Sequence, residues 1–435
     1  MLKPTSEHSF FRNNIILIFI VTVCSILGAD NNTFLILSVV TVIFAMAISP
    51  FDHKFCWSIF LVPNIRIFDN LGSTSIVNML FIIPLIFYFI RSPYKIKGWP
   101  LFAALILFCL EDFHKIGYEE SILDLIGWIL AFLSCVYITL DDEIEINTND
   151  LSYALTLGTL VSFIACLMTD SFWTSDLIQN TIAGYRFEGF ASDPNAYSAY
   201  LCIALASLAI KPNMKVLDYL MMGALMVLGI LTGSKMCILL MIIIISYFIV
   251  VTSNSGIKIS RNIVIIFTIV FIAYLNKDFL LEIFDNMYTR SGGDQMTLNT
   301  LTTNRYDIQM EYLHVLGNDF VTLFFGRGFS YYYHLDTYHM HQAHNTYMDI
   351  VLSWGLIGTI LFTAIISVWF MYFKKKTNTH KYMTISKLPL IVLLISFFSL
   401  SLFDAGMFYF VISYCMLQLR PANKTIVESE NIYDY

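Results

Sequence analysis

Apolar runs of about eighteen residues, the length that crosses a hydrocarbon core about 30 Å thick, recur from one end of this chain to the other. Lipid offers backbone amides and carbonyls no water, so such runs fold as helices or as closed barrels. The runs show no period-two alternation, which argues against a barrel. Composition agrees: 57% of the 435 residues are hydrophobic, only 13% are charged, and mean hydropathy is +0.69. A soluble domain carries about 25% charged residues. The expected fold is therefore all-α, a polytopic transmembrane helical bundle of about 12–14 spans, with residues 1–435 forming a single integral membrane domain.

The spans are expected near 13–29, 33–50, 55–68, 75–90, 99–112, 121–140, 151–169, 194–210, 216–233, 236–252, 262–276, 343–373, 387–402 and 405–419. The first could mimic a secretion signal, but it lacks a small-x-small cleavage site and another span follows at once, so it reads as retained. The eight cysteines lie in or at the ends of apolar runs. None falls in the polar stretch 277–342, so they read as packing residues rather than a disulfide framework.

Lys and Arg in short loops set orientation. With the N-terminus inside and the spans alternating, 17 of the 25 basic residues fall on the cytoplasmic side, Lys374 to Lys376 among them. Both termini are then cytoplasmic, and two far-side loops are long, 170–193 and 277–342. In the second, Asn304 to Leu316 reads as a short helix with Ile308, Leu313, Val315 and Leu316 turned inward. The net charge is −7, and no nucleic-acid partner is expected.

Eight basic residues depart from the positive-inside trend: Arg66, Lys115, Arg186, Lys235, Lys277, Arg290, Arg305 and Arg327. Charges kept near a bilayer tend to be functional or paired. Arg186 lies just before Asp193-Pro194-Asn195, itself a good helix start. Lys235 closes the turn Thr232-Gly233-Ser234-Lys235, Arg305 opens the loop helix, and Arg327 sits between Gly326 and Gly328. Each also has a plain structural reading: Arg186 pairing with Glu188 or Asp193, or Lys235 snorkelling to the interface. At the end of the long loop, His339, His341 and His344 invite a zinc reading, though no Cys or clear carboxylate accompanies them. A structural histidine cluster is the second reading. The third is a catalytic or substrate-contacting His344, beside Asn345 and with Asp349 one turn on; imidazole suits proton abstraction near neutral pH. Cations beside a histidine at a membrane face suit a phosphate-bearing lipid substrate, because Arg and Lys neutralise charge building on a departing diphosphate. Tyr331, Tyr332 and Tyr333 are of a kind that stacks on sugars or forms interfacial belts.

Arg186-x-x-Gly189 with Asp193-Pro194-Asn195 resembles the first periplasmic-loop motif of the O-antigen polymerase and ligase superfamily. Thr232-Gly233-Ser234-Lys235, Arg305, Phe325-Gly326-Arg327-Gly328-Phe329, His344-Asn345-Thr346-Tyr347 and Gly355-x-x-Gly358 follow in that superfamily's order. The resemblance covers roughly 180–365. It implies a GT-C-like membrane glycosyltransferase of the bacterial inner membrane, active at the periplasmic face, that takes glycan from undecaprenyl diphosphate without metal or other cofactor and with inversion. By position, Arg186, Lys235, Arg305 and Arg327 would hold the diphosphate. His344 and Arg305 would be catalytic, and Asn345 and Asp193 would orient the acceptor. Lys235 stands where the family has Arg, which removes the two-pronged grip on phosphate. A Wzy-type polymerase is favoured over a ligase, with membrane lipid and a chain-length regulator as further partners. The rival of another class is a lipid-linked oligosaccharide flippase. That reading predicts two related halves and charges near the bilayer midplane, whereas the charges here gather in far-side loops.

Overall fold

The computed structural model describes residues 9–28, 31–64, 74–91, 97–112, 122–141, 144, 146–168, 186–189, 193–211, 214–252, 281, 284–285, 287–289, 292–302, 305–335, 342–377, 387–402 and 407–419. The predicted span 262–276 lies outside these residues, as do Arg66, Lys115, Lys277, Arg290, His339 and His341.

Among the described residues the regular elements are helices. The first ten are α1 (Ser9–Leu27), α2 (Asn32–Ile48), α3 (Phe51–Leu61), α4 (Thr74–Arg91), α5 (Gly98–Asp112), α6 (Ile122–Leu140), α7 (Thr148–Met168), α8 (Pro194–Ala209), α9 (Val216–Leu231) and α10 (Lys235–Thr252). The long loop contributes α11 (Leu298–Leu301), α12 (Arg305–Asn318), α13 (Phe320–Phe325) and α14 (Tyr331–His334). After it come α15 (Thr346–Thr377), α16 (Leu388–Ser396) and α17 (Met407–Leu417). Among the described residues two helical stretches are long and apolar enough to cross a membrane, Phe10–Leu27 and Thr346–Lys374, and several shorter apolar helices accompany them. The eleven residues of α3 rise about 16 Å at 1.5 Å per residue, and α3 is wrapped by its neighbours along most of its length.

The core is organised around α8. Asp193 caps it, its carboxylate accepting from the Asn195 amide at 2.7 Å, and Pro194 takes the first turn, as the sequence predicts. Fourteen of its sixteen residues are buried, because α7, α9, α10 and α16 pack around it. Elsewhere α4 lies on α6 and α1 on α2.

The feature that positions the site is a break in α15. Gly355 has φ 64° and ψ −173°, a conformation essentially confined to glycine. The carbonyls of Leu352 and Ser353, just before the break, accept from the backbone amides of Arg327 (2.8 Å) and Gly328 (2.7 Å). The approach is so close that a Cβ on Gly355 would stand 2.2 Å from the Phe324 carbonyl carbon, and one on Gly326 2.3 Å from the Ser353 oxygen. A broken helix inside an apolar bundle is tolerated where neighbouring groups re-satisfy its backbone, and here the loop does so.

Glu111, at the end of α5 and 1% exposed, ties this junction to the N-terminal helices. One carboxylate oxygen accepts from the Phe329 amide (2.9 Å) and the other from the Trp354 indole (2.8 Å). The Phe329 ring packs against Trp128 and Trp354, with centroids 5.1 and 5.7 Å away.

The loop helix α12 begins one residue later than expected and faces slightly differently. Ile308, Tyr312 and Leu316 are its buried residues, with Val315 packed beside them, while Leu313 is 51% exposed. An i, i+4, i+8 stripe runs down one helix face, and Leu313, five residues after Ile308, falls off it.

Candidate functional site

Arg186 reaches across to the turn between α9 and α10. Its Nε donates to the Thr232 carbonyl (2.8 Å) and an Nη to Asn195 Oδ1 (3.1 Å). The Ser234 hydroxyl donates to the same Asn195 oxygen at 3.2 Å. The adjoining segment is fixed by the Phe187 amide on the Leu231 carbonyl (3.1 Å). Gly233, with φ 54°, lets the chain reverse between two helix ends. The two motifs that the sequence separates by some forty positions thus share one hydrogen-bonded node, with Asn195 at its centre.

Lys235 opens α10, and its ammonium donates to the Thr300 carbonyl of the long loop at 3.4 Å. Arg305 follows a few residues on. It donates to the Ser399 carbonyl at 2.8 Å. Burial pulls its guanidinium down from the ordinary value, and the negative charge of Asp193 works in the opposite direction. Arg305 is therefore a partly desolvated cation within the field of the α8 cap. It stays charged, as arginine does in proteins.

The segment 397–402 that receives Arg305 also receives the start of α15. The Thr346 amide donates to the Phe397 carbonyl (2.8 Å) and its hydroxyl to the Leu400 carbonyl (2.6 Å). Asn345 caps the helix, its side-chain oxygen accepting from the amides of Tyr347 (3.1 Å) and Met348 (3.3 Å). Immediately before it, His344 has φ 51°, the one positive φ outside glycine among the described residues. Such a conformation persists in a non-glycine residue where the surroundings over-determine it. Arg305 and His344 are thereby held through one short segment.

Arg327 is placed differently from the other cations. Its Nε donates to the Thr322 hydroxyl (2.7 Å) and an Nη lies 2.6 Å from Asp319. Asp319 also caps α13 through the amides of Val321 and Thr322. The Thr322 hydroxyl first, and then Arg327, hold the Asp319 carboxyl well below the usual carboxylate range. These bonds make Arg327 a brace of α13. Tyr331 is 1% exposed and so offers no face for a sugar, whereas Tyr333 is 67% exposed.

Three participants escape sequence reasoning. Asn195 reads as part of a helix start and of the loop motif but with no role of its own, and Glu111 as the polar end of an apolar run. An acid at the end of a span is nevertheless a recognised signal of function or pairing. Tyr331 reads as one of three like neighbours. Among the described residues, no three His, Cys, Asp or Glu side chains gather as a metal site, and two of the histidines behind the zinc reading lie outside those residues.

Among the described residues the regular elements are helices, with Arg186 and Asn195 at one node and Arg305 and the start of α15 meeting at the 397–402 segment. Residues 220–363 match the family model described as O-antigen ligase (Wzy_C), a segment that includes Lys235, Arg305, Arg327, His344 and the break at Gly355. Over that segment the chain is similar to this family, consistent with the resemblance to the O-antigen polymerase and ligase superfamily. The family covers O-antigen polymerase and ligase activity and is membrane-associated. No curated protein matches the chain.

Proposed function

We propose that this protein is a polytopic inner-membrane glycosyltransferase that moves glycan from undecaprenyl diphosphate to a sugar hydroxyl at the periplasmic face. The observation that carries the proposal is the coincidence of the family match with the cation and histidine site. Arg186, Lys235 and Arg305 come from separate segments, and each is held by a hydrogen bond to a backbone carbonyl: Arg186 to Thr232 at the end of α9, Lys235 to Thr300 of the long loop, and Arg305 to Ser399 just past α16. Cations fixed before the reaction stabilise a departing diphosphate without reorganising. His344 takes the proton from the attacking hydroxyl, and inversion follows from a single displacement at the anomeric carbon. A membrane setting is supported by large apolar side chains left exposed along the helices, among them Phe19, Phe44, Ile90, Phe102, Leu220 and Ile360. Such surface is costly in water.

The acceptor in this reading is a second lipid-linked repeat unit, which makes the enzyme a polymerase. The family description, O-antigen ligase, favours a second reading, in which the acceptor is lipid A core. Surface glycan from a strain lacking the gene separates the two. Core carrying one repeat unit means polymerase. Bare core with long glycan retained on undecaprenyl diphosphate means ligase. Bare core with no lipid-linked polymer outside refutes both and revives transport.

A further inference from the structure

We propose that Tyr331 is a positioning residue for His344: its buried hydroxyl, shared between Asp349 and the Ala343 amide, holds the backbone at His344 in its left-handed conformation. The inference rests on the reading of His344 given above and adds to it a residue that touches neither donor nor acceptor.

The hydroxyl donates to Asp349 Oδ1 at 2.5 Å and accepts from the Ala343 amide at 2.8 Å. Ala343 is fully buried, and a buried amide requires a partner; here the partner is a side chain rather than secondary structure. The other side of Ala343 is held as well, because Gln309 Nε2 on α12 approaches its carbonyl at 3.4 Å. On the far side of His344, Asn345 is committed to capping α15 and Thr346 to the 397–402 segment. His344 is thus the single turning residue between two fixed neighbours. Its φ of 51° is one that an L residue leaves when released.

The Tyr331 ring is itself held, with Tyr312 and Tyr332 at centroid distances of 5.3 and 5.6 Å. Burial first, and then the charge of Asp349, push its phenol up. It therefore remains protonated and keeps donating to the carboxylate throughout the working pH range. Tyr331 follows Phe329 by two residues, so the Glu111 anchor and the brace act on one stretch of loop.

The test is Tyr331→Phe in the full-length protein, purified in detergent and assayed with a lipid-linked repeat unit beside His344→Ala. The phenyl ring preserves packing and removes only the hydroxyl. The expected result is a loss in kcat of about ten- to a hundredfold per folded molecule, with KM for the lipid-linked donor unchanged within about twofold. A packing role alone predicts normal kcat per folded molecule, and that result overturns the brace while His344→Ala remains inactive. Full transfer by His344→Ala overturns the reading of His344 and the brace with it. Should Tyr331→Phe not fold, Gln309→Ala removes the weaker tie from a partly exposed side chain. A loss of about threefold in kcat is then expected, and unchanged kcat refutes the proposal.

Discussion

Replacing Gly355 by alanine separates a helix break built into the fold from an incidental kink. Two costs add. The backbone at φ 64° and ψ −173° lies where non-glycine residues pay about 1–3 kcal/mol. The new Cβ would stand 2.2 Å from the carbonyl carbon of Phe324 and 2.3 Å from the Phe325 nitrogen. Those are backbone atoms that no rotamer change can move, and overpacking of this kind costs about 1–3 kcal/mol. The sum, about 2–6 kcal/mol, is a large part of the 5–15 kcal/mol that typically holds a domain together. The strain falls on the junction where the Arg327 and Gly328 amides meet the Leu352 and Ser353 carbonyls. Thermal unfolding in detergent should show a clear loss of stability. Two controls grade it. Gly293→Ala, with φ 53° and only Tyr288 nearby at 3.8 Å, should pay strain alone, about 1–2 kcal/mol. Gly98→Ala, with nothing within 4 Å among the described residues, should melt as the native protein does. Because Gly326 faces the same contact, Gly326→Ala combined with Gly355→Ala should cost less than the two singly. A Gly355→Ala protein that melts with the Gly98→Ala control refutes the argument.

Glu111→Ala removes the acceptor for Phe329 and Trp354, two charge-assisted bonds worth about 1.5–3 kcal/mol each; a melting temperature equal to that of the native protein would count against the anchor. The Asp319–Arg327 pair should weaken in acid. Its carboxyl is depressed in the folded state, so its contribution is complete above about pH 4, the unfolded value, and is lost as pH falls further. With both side chains about a third exposed (32% and 37%), the pair is worth about 1 kcal/mol or less. A difference in acid stability between the native protein and Arg327→Met measures it, and parallel pH curves would deny it. Arg305→Lys keeps the charge but gives up the planar fork, so glycan transfer should fall at least about tenfold, read from polymer formed per folded enzyme. Arg327→Lys should lose much less, and the reverse order would reassign the two residues.

Some of this was legible in the residues alone. Asp193-Pro194 reads as a helix start and is one, because a capping carboxylate and a proline at the first turn act over two residues and need no partner. The loop helix reads correctly in place, since periodicity is local. Its inward face is off at Leu313, where Tyr312 is buried instead; choosing the face takes knowledge of what it packs on, here Tyr331 and Leu352. Arg327 reads like the other cations in its glycine-flanked setting, and only the fold shows it turned onto Asp319.

Sequence by itself determined that the chain is helical and apolar, and the order of the motifs. Those properties follow from side-chain chemistry and short-range spacing. Tertiary structure alone decided that Asn195 joins Arg186 to Ser234, that Glu111 anchors a loop some 220 residues away (111 to 329), and that His344 sits in a left-handed turn. Each depends on hydrogen-bonding groups that meet only after helices distant in sequence have packed, and a buried polar group can take any complementary partner that packing brings within reach.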